Sequence, residues 1–572
     1  MKARQIIKGA IENLFNVAEF TLEHPADEKM GDYATNVAMV MAKESKKNPR
    51  EMAEEMMKKL REAKELKEIV ERVEVAGPGF INFFLSEKYL IDELSEVVSE
   101  KENYGKGVRW EGQKVMVEFT DPNPFKQFHI GHLMSNTIGE SLARLMEFSG
   151  AQVKRACYQG DVGMHVAKSI WGLKELLKEK NQTMEEIGGR SLEERAAFLG
   201  RAYAMGAAAF EEQEESKEEI KKLNKIIYER SDEEVNQMYD LGRAWSLDYF
   251  ETIYKRLGTK FDFYFFESDA GPLGLEVVKS HLTDGIFEES EGAVVFKGEK
   301  YGLHTRVFIN SLGLPTYEAK EMGLAKTKAE KYAYDKSIIV TGNEINAYFK
   351  VLLKAMSLVY PDLAAKQTHI GHGMLKLKYG KMSSRTGNVV TGEGLMTDVG
   401  EEIKKKMTET GKIDEIDKAE QVINAVSVGA IKYSLLKQSP GKDIVFDFET
   451  SLSFEGDSGP YLQYTYARAK SVLAKSEKEG ANVAGDLLGE ETGVVKWMAR
   501  FEEAVDIAVR EMSPNYICSY LVELSSKFNR FYAECKIVGS EREAERLSIT
   551  TAVAQIMKNG LRLLGIETVE KM

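Results

Sequence analysis

The chain has 572 residues, 43% hydrophobic and 30% charged, with a formal net charge of −13. That length supports two to four domains, no apolar run reaches the ~18 residues a membrane span needs, and the acidic total speaks against a uniformly basic nucleic-acid surface while leaving local patches open. Three widely separated cysteines, Cys157, Cys518 and Cys535, give neither a disulfide framework nor a zinc-ligand spacing, which suits a reducing cytoplasm.

The N-terminal stretch MKARQIIKGAIENLF is an amphipathic pattern broken by charges and lacks the apolar core and cleavage site of a signal peptide. Helical patterns over residues 4–20 and 49–66 frame GDYATNVAMVMAK and the strand–turn–strand VEVAGPGFINFFL. Gly77-Pro78-Gly79 marks the turn, and Ile81, Phe83 and Phe84 lie in the second strand. Residues 1–107 thus read as a small α/β unit without a catalytic constellation.

Residues 115–150 carry the chemistry. Val115, Met116, Val117 and Phe119 predict a strand, Asp121, Pro122, Asn123 and Pro124 a turn, and Ile138, Leu142, Leu145 and Met146 a helix stopped by Gly150. A strand, a tight loop and a helix N-terminus make a ready anion site, and His129, Ile130, Gly131 and His132 sit in that loop. Gly131 lets a nucleotide approach the backbone, and the imidazoles supply hydrogen-bond donors for phosphate. The same four letters recur at residues 369–372, without a preceding strand that ends in a polar turn or an amphipathic helix behind, and are read as coincidence.

A second strand and polar turn follow over residues 153–165, with Gly160, Asp161 and Gly163 at the strand's end, as an open parallel sheet requires around a ligand. Residues 180–257 are charged and helical, with Ile220, Leu223, Ile226 and Ile227 as a buried stripe, and read as a structural insertion. Strands resume at 262–266 and 293–296. Residues 306–323 repeat strand, turn and helix, placing Tyr317 and Glu321 one helical turn apart, where a phenol and a carboxylate on one face can grip a cation. Another buried strand leads to a helix over 338–349. The Gly-bounded loop GKMSSRTGNVV brings Lys381, Met382, Ser383, Ser384 and Arg385, mobile cations and hydroxyls suited to closing over a triphosphate. From about residue 451 the pattern is helical to the end, with aromatic stripes. There is no G-x(4)-G-K-[ST] loop and no metal-spaced His/Cys cluster, so no metal ligands are assigned.

These motifs together resemble class I aminoacyl-tRNA synthetases, and in detail the arginyl-tRNA synthetase family. That family has E-x(4)-N-x-x-K-x-x-H-x-G-H, matched here by Glu118, Asn123, Lys126, His129, Gly131 and His132. It commonly lacks the second lysine of the KMSKS loop, here Ser384, and carries a lysine ahead of HIGH, here Lys126. The resemblance implies a Rossmann-like α/β catalytic domain over residues 108–450 with the helical insertion at about 180–257. It also implies an N-terminal tRNA-binding domain over 1–107 and an all-α helix-bundle, anticodon-binding domain over 451–572.

The implied activity is ligation of L-arginine to its tRNA through an arginyl-adenylate. ATP is a substrate, with Mg2+ carried by the nucleotide. Lys126, His129, His132, Lys381, Ser383 and Arg385 would act on the phosphates. ATP would meet His129, Gly131, His132, Gly160, Asp161, Met382, Ser383 and Ser384. Arginine would be oriented by Glu118, Asn123, Tyr317 and Glu321, the last replacing the usual Asp of the T-Y-x-x-x-D helix, while Glu344-Ile345 stands where glutamine is frequent. A cytoplasmic monomer without membrane attachment is expected. The alternatives are another class I synthetase, a nucleotidylyltransferase sharing the HIGH loop, and a non-catalytic tRNA-binding relative. Amino-acid-dependent activation, or its absence, separates them.

Overall fold

Val115, Met116 and Val117 have no polar alternation, the pattern of a strand buried on both faces. They form β1 (Lys114–Glu118) and are fully buried at the centre of a five-stranded parallel sheet. Its other strands are β2 (Gln152–Gln159), β3 (Phe263–Phe266), β4 (Lys336–Gly342) and β5 (Gln367–His372), in the spatial order β5-β4-β1-β2-β3. The order reverses between β1 and β4, and beyond their carboxyl ends lies the crevice where doubly wound sheets bind ligands. The computed structural model describes residues 2–378, 390–409, 416, 418–477 and 486–572.

Helix α1 (Ile130–Phe148) follows β1, and α2 (Met164–Lys180) follows β2. Gly150, at φ +96°, ends the first of these connections as its position in the sequence suggests. The charged insertion is a short helix, Met184–Gly188, and three long ones, α3 (Leu192–Glu212), α4 (Glu214–Glu229) and α5 (Glu233–Leu257), packed with α2 around Leu173, Phe198, Ile220 and Ile227. Helix α6 (Glu267–Ser280) follows β3. The strand expected at 293–296 belongs to a separate three-stranded antiparallel sheet with Glu288–Ser290 and Arg306–Ile309. Helix α7 (Tyr317–Lys331) precedes β4, and α8 (Asn346–Val359) separates β4 from β5.

The second HIGH is part of β5, pairing residue by residue with β4 from Ser337↔Gln367 to Gly342↔His372. It caps no helix. His369 stacks on Phe349, with ring centroids 3.8 Å apart, and bonds the Thr341 hydroxyl at 2.6 Å, so its local role is to pin an edge strand.

At the N-terminal end, a four-stranded antiparallel sheet is covered by Ala3–Phe15 and Pro49–Glu62. The first helix stops at Phe15, short of Phe20, because Asn16 takes a left-handed φ of 49°. Beyond β5, α9 (Gly392–Glu409) and α10 (Ala419–Leu436) lead to a helical region built on α11 (Gly459–Leu473), α12 (Asn515–Glu534) and α13 (Glu543–Leu563). Helix α13 ends against α1, where the Ser141 hydroxyl donates to the Leu563 carbonyl at 2.9 Å. No described helix is long and apolar enough to cross a membrane.

Candidate active site

The turn after β1 is held in a costly shape. Thr120, Asp121 and Phe125 have φ of 81°, 46° and 68°, a left-handed region that non-glycine residues avoid. Packing from several elements enforces it. Thr120 N–H donates to the Ser135 hydroxyl (2.9 Å), which donates to the Val340 carbonyl of β4 (2.7 Å). The Asp121 carboxylate accepts the Tyr158 N–H (2.7 Å), and Phe125 N–H donates to the Ser246 hydroxyl of α5 (2.9 Å).

The two histidines then cap α1 reciprocally. His129 Nδ1 accepts the Gly131 N–H at 3.0 Å, and His132 Nδ1 accepts the His129 N–H at 3.3 Å. An accepting Nδ1 carries no proton, so the neutral ring must hold it on Nε2. The rings stack with centroids 3.6 Å apart. Burial, reinforced by the neighbouring Lys126, holds both below the ordinary histidine range and keeps them neutral. The HIGH loop therefore offers two Nε2–H donors of fixed tautomer. A Cβ on Gly131 would lie 2.8 Å from His129 Cε1, which excludes a side chain there.

Beside this loop is a cavity of about 360 Å³ whose walls include Glu118, Asp121, Asn123, Tyr317, Glu321 and Glu344. It brings together all four residues that the sequence nominates for arginine. Glu118 is buried and paired with Lys328 of α7 at 2.9 Å. Among the described residues Glu321 has no such cation of its own. Burial, then the charge of Glu118, pushes its pKa up to about 8, with Lys328 opposing. Asp121 is raised by the same two causes. Glu118, Asp121 and Glu321 thus stand around the Lys328 ammonium, and the Arg306 guanidinium in the same wall lies 3.6 Å from Glu318, so carboxylates outnumber cations and a guanidinium would redress the balance. Tyr317 stands at the mouth, 59% exposed. The longer Glu321 still reaches the cavity that the substitution of Asp put in question.

Gly160 sits against Asn123, since a Cβ there would fall 2.3 Å from Asn123 Oδ1, so the turns after β1 and β2 meet. Asp161 points elsewhere. Its fully buried carboxylate accepts from Tyr239 (3.1 Å), Arg243 (2.9 Å), and the Ser268 N–H (2.9 Å) and hydroxyl (2.7 Å). With four donors in place, it fastens the insertion to the sheet. His165 steadies the same turn through the Gly160 carbonyl at 2.7 Å.

Lys381, Met382, Ser383, Ser384 and Arg385 lie outside the described residues. The chain immediately after them returns to the HIGH loop: Ile130 N–H donates to the Val390 carbonyl (3.3 Å), His129 bridges Thr391, and Gly392 N–H donates to the Phe128 carbonyl (2.8 Å).

Sequence reasoning missed Asp121, Lys328 and the buried Lys320–Glu267 pair (2.6 Å). A signal existed for Lys328, because Tyr317, Glu321, Leu324 and Lys328 fall at i, i+4, i+7 and i+11 on one helical face. Among the described residues no group of three His, Cys, Asp or Glu is arranged to hold a metal ion.

Comparison with known proteins places these features in context. The sequence matches "tRNA synthetases class I (R), catalytic domain" over residues 93–448, "Arginyl tRNA synthetase N terminal domain" over 1–85 and "DALR anticodon binding domain" over 462–572. An arginine–tRNA ligase of Clostridium acetobutylicum is 31% identical across 100% of this chain and 98% of its own. One from Clostridium perfringens is 32% identical across 97% and 96%. In fold the chain is similar to the Thermus thermophilus arginyl-tRNA synthetase, with a TM-score of 0.80, 24% identity and 99% of each chain covered.

Proposed function

The chain belongs to the class I arginyl-tRNA synthetases, and on that premise we propose how its cleft joins arginine to tRNA. The enzyme is an arginine–tRNA ligase that uses ATP and charges tRNA with L-arginine by way of an adenylate. In the first step the arginine carboxylate oxygen bonds to the α-phosphorus of ATP while the bond from that phosphorus to the bridging oxygen breaks, releasing pyrophosphate. In the second, a hydroxyl of the terminal tRNA ribose, the 2′-hydroxyl, attacks the carbonyl carbon and AMP leaves.

The protein's part is positioning and charge. Glu118, Asn123, Tyr317 and Glu321 hold the arginine side chain and ammonium. A planar guanidinium that is always charged rewards fixed carboxylates, whereas a neutral side chain would leave them buried and unpaired. The Nε2–H groups of His129 and His132 face the phosphates, and Lys126, Lys381 and Arg385 take the charge that grows on departing pyrophosphate. Ser383, Met382, Ser384, Gly131 and Gly160 line the nucleotide. We assign Asp161 to holding the Gly160 turn, because its carboxylate is already saturated.

The observation that carries the reading is convergence: the HIGH loop, the acidic cavity and residues 390–392 meet at the carboxyl end of one parallel sheet. The test is amino-acid-dependent ATP–pyrophosphate exchange with each of the twenty amino acids, with and without tRNA. Exchange with arginine alone, strengthened by tRNA, supports the assignment. Activation of another amino acid at comparable kcat/KM refutes it.

We further propose that Mg2+ enters with ATP, and that the enzyme works as a cytoplasmic monomer. Its tRNA would lie along three domains, 1–107, 108–450 and 451–572. For the anticodon, the surface we nominate is a cleft of about 370 Å³ lined by Phe454, Tyr461, Tyr464, Arg468, Asn529 and Met572. Arg468 lies 4.8 Å from the Tyr464 ring and 5.1 Å from Tyr532, an arrangement of rings and guanidinium that suits unstacked bases.

A further inference from the structure

The helical insertion reads from the sequence as scaffolding, yet it grips three consecutive residues directly ahead of HIGH. Phe125 owes its left-handed backbone to α5. Its N–H is tied to Ser246, and its ring packs so closely on Gly242 that a Cβ there would fall 2.3 Å away. Gln127 lies against Gly200 of α3, 3.0 Å from where a Cβ would stand. Between them, the Lys126 ammonium lies 5.0 Å from the centroid of the Tyr203 ring, also on α3.

That ring is an unusual partner for this lysine's task. Two lysines nearby are neutralised: the buried Lys320 pairs with Glu267 at 2.6 Å, and the half-buried Lys168 lies 3.4 Å from Glu211 and 4.0 Å from the Phe210 ring. Lys126 has no carboxylate within ion-pair distance among the described residues. The nearby charges it feels are Lys168, which repels it, and Glu267, which is already engaged. A carboxylate partner would cancel the charge wanted on the phosphates and would have to be broken as pyrophosphate forms. An aromatic face attracts the ammonium through its quadrupole and leaves the charge available.

We propose that Tyr203 is a positioning residue for Lys126, its ring holding the ammonium over the nucleotide side of the cleft without neutralising it. The insertion is then part of the activation machinery. This inference rests on the reading of Lys126 as the phosphate-facing cation, and the experiment separates the two.

The measurement is arginine-dependent pyrophosphate exchange by the full-length enzyme with tRNA, for Y203F, Y203L, K126A and Y203L/K126A. Melting curves first establish that each variant is folded. Y203F, which keeps the ring face, should stay within about twofold of the parent. Y203L should lose about five- to tenfold in kcat with the KM for arginine unchanged, the loss expected for one partly desolvated cation–π contact. In the K126A background Y203L should add nothing. The inference is overturned if Y203L costs the same factor with and without Lys126, if Y203F is as poor as Y203L, or if the arginine KM rises in step with the fall in kcat. If K126A alone activates arginine normally, the role given to Lys126 falls, and this proposal with it.

Discussion

Arginine binding should expel a proton from Glu321, one of the raised carboxylates of the cavity. Glu321 faces Glu118, Asp121, Glu267 and Glu318 on the negative side and Lys328 on the positive, and burial with this crowd of carboxylates raises its pKa to about 8. At pH 7 such a group is about nine-tenths protonated in the empty pocket. A guanidinium stays charged at any accessible pH, so once seated it favours the carboxylate and drives the proton out. Binding at pH 7 should therefore release about 0.9 proton per arginine, falling to about 0.1 at pH 9. Arginine affinity should rise about tenfold over the same interval.

Calorimetry of arginine binding in two buffers of different ionisation enthalpy counts that proton directly. Work at pH 6.5–7.5 avoids titration of the ligand's own ammonium. E321Q should lack the share released by Glu321 and bind arginine about tenfold more weakly at pH 7.5, while its KM for ATP moves less than about twofold. Release below 0.2 proton in the parent at pH 7, equal release in E321Q, or equal damage to arginine and ATP would refute the account. The sign for stability runs the other way. With the folded pKa raised, the native state holds a proton that the unfolded state loses above about pH 4.5, so stability declines from there to about pH 8. E321Q should lack that decline and, at pH 8, be more stable than the parent.

Three other outcomes follow from particular contacts. Lys126→Ala should reduce single-turnover arginine activation by about two orders of magnitude with melting unchanged, because the charge matters mainly as pyrophosphate leaves; near-normal activation would reject the idea that it replaces the missing KMSKS lysine. Gly131→Ala puts a methyl 2.8 Å from His129 Cε1, so it should break the reciprocal cap and cost about 1–2 kcal/mol in urea melts along with most activity. Lys432 is buried, donates to the Leu257 and Gly565 carbonyls at 2.6 Å each, and has its pKa pushed down to about 7, by burial first. Because the unfolded chain then holds the extra proton between about pH 7 and 10.5, stability should rise with pH over that window and stay flat in Lys432→Met.

Much of the site was legible because its parts are local. β1, the polar turn and α1 are contiguous, so residue type and period locate the HIGH loop, and helical spacing alone puts Tyr317 and Glu321 on one face. What escaped depends on partners far along the chain. The lysines of YEAKEMGLAKTKAEK draw no assignment from the sequence, yet packing on the sheet buries Lys320 at 4% and Lys328 at 1% exposure, each opposite a glutamate. Asp161 looked ready for a ligand because a polar turn at a strand end usually is. Its four donors come from α5 and the start of α6, beyond any local pattern. The insertion's grip on residues 125–127 was invisible for the same reason, since Tyr203 and Ser246 approach that loop only through the tertiary fold.

The cleft divides its electrostatics along the line of the reaction. On the α7 side the walls are mostly carboxylates, with Lys328 already committed to Glu118; on the α1 side they are neutral N–H donors and an ammonium without an ion-pair partner among the described residues. On the proposed assignment amino acid and nucleotide carry opposite charges where they enter, so each would be drawn to its own half, and the halves meet where Asn123 touches Gly160. Two negative groups, carboxylate and α-phosphate, must come into contact at that seam, the least favourable approach in the whole process. Neutral histidines matter there. Imidazolium ions would bind the triphosphate more tightly in the ground state, whereas N–H donors of fixed tautomer add little until charge accumulates on the oxygens that are leaving. Forcing charge onto His129 and His132 should thus deepen ATP binding and slow activation together. Pyrophosphate exchange followed as the pH is lowered beneath the ordinary histidine range, read as kcat and KM separately, would show a falling kcat with a falling ATP KM, and a rising KM would defeat the argument.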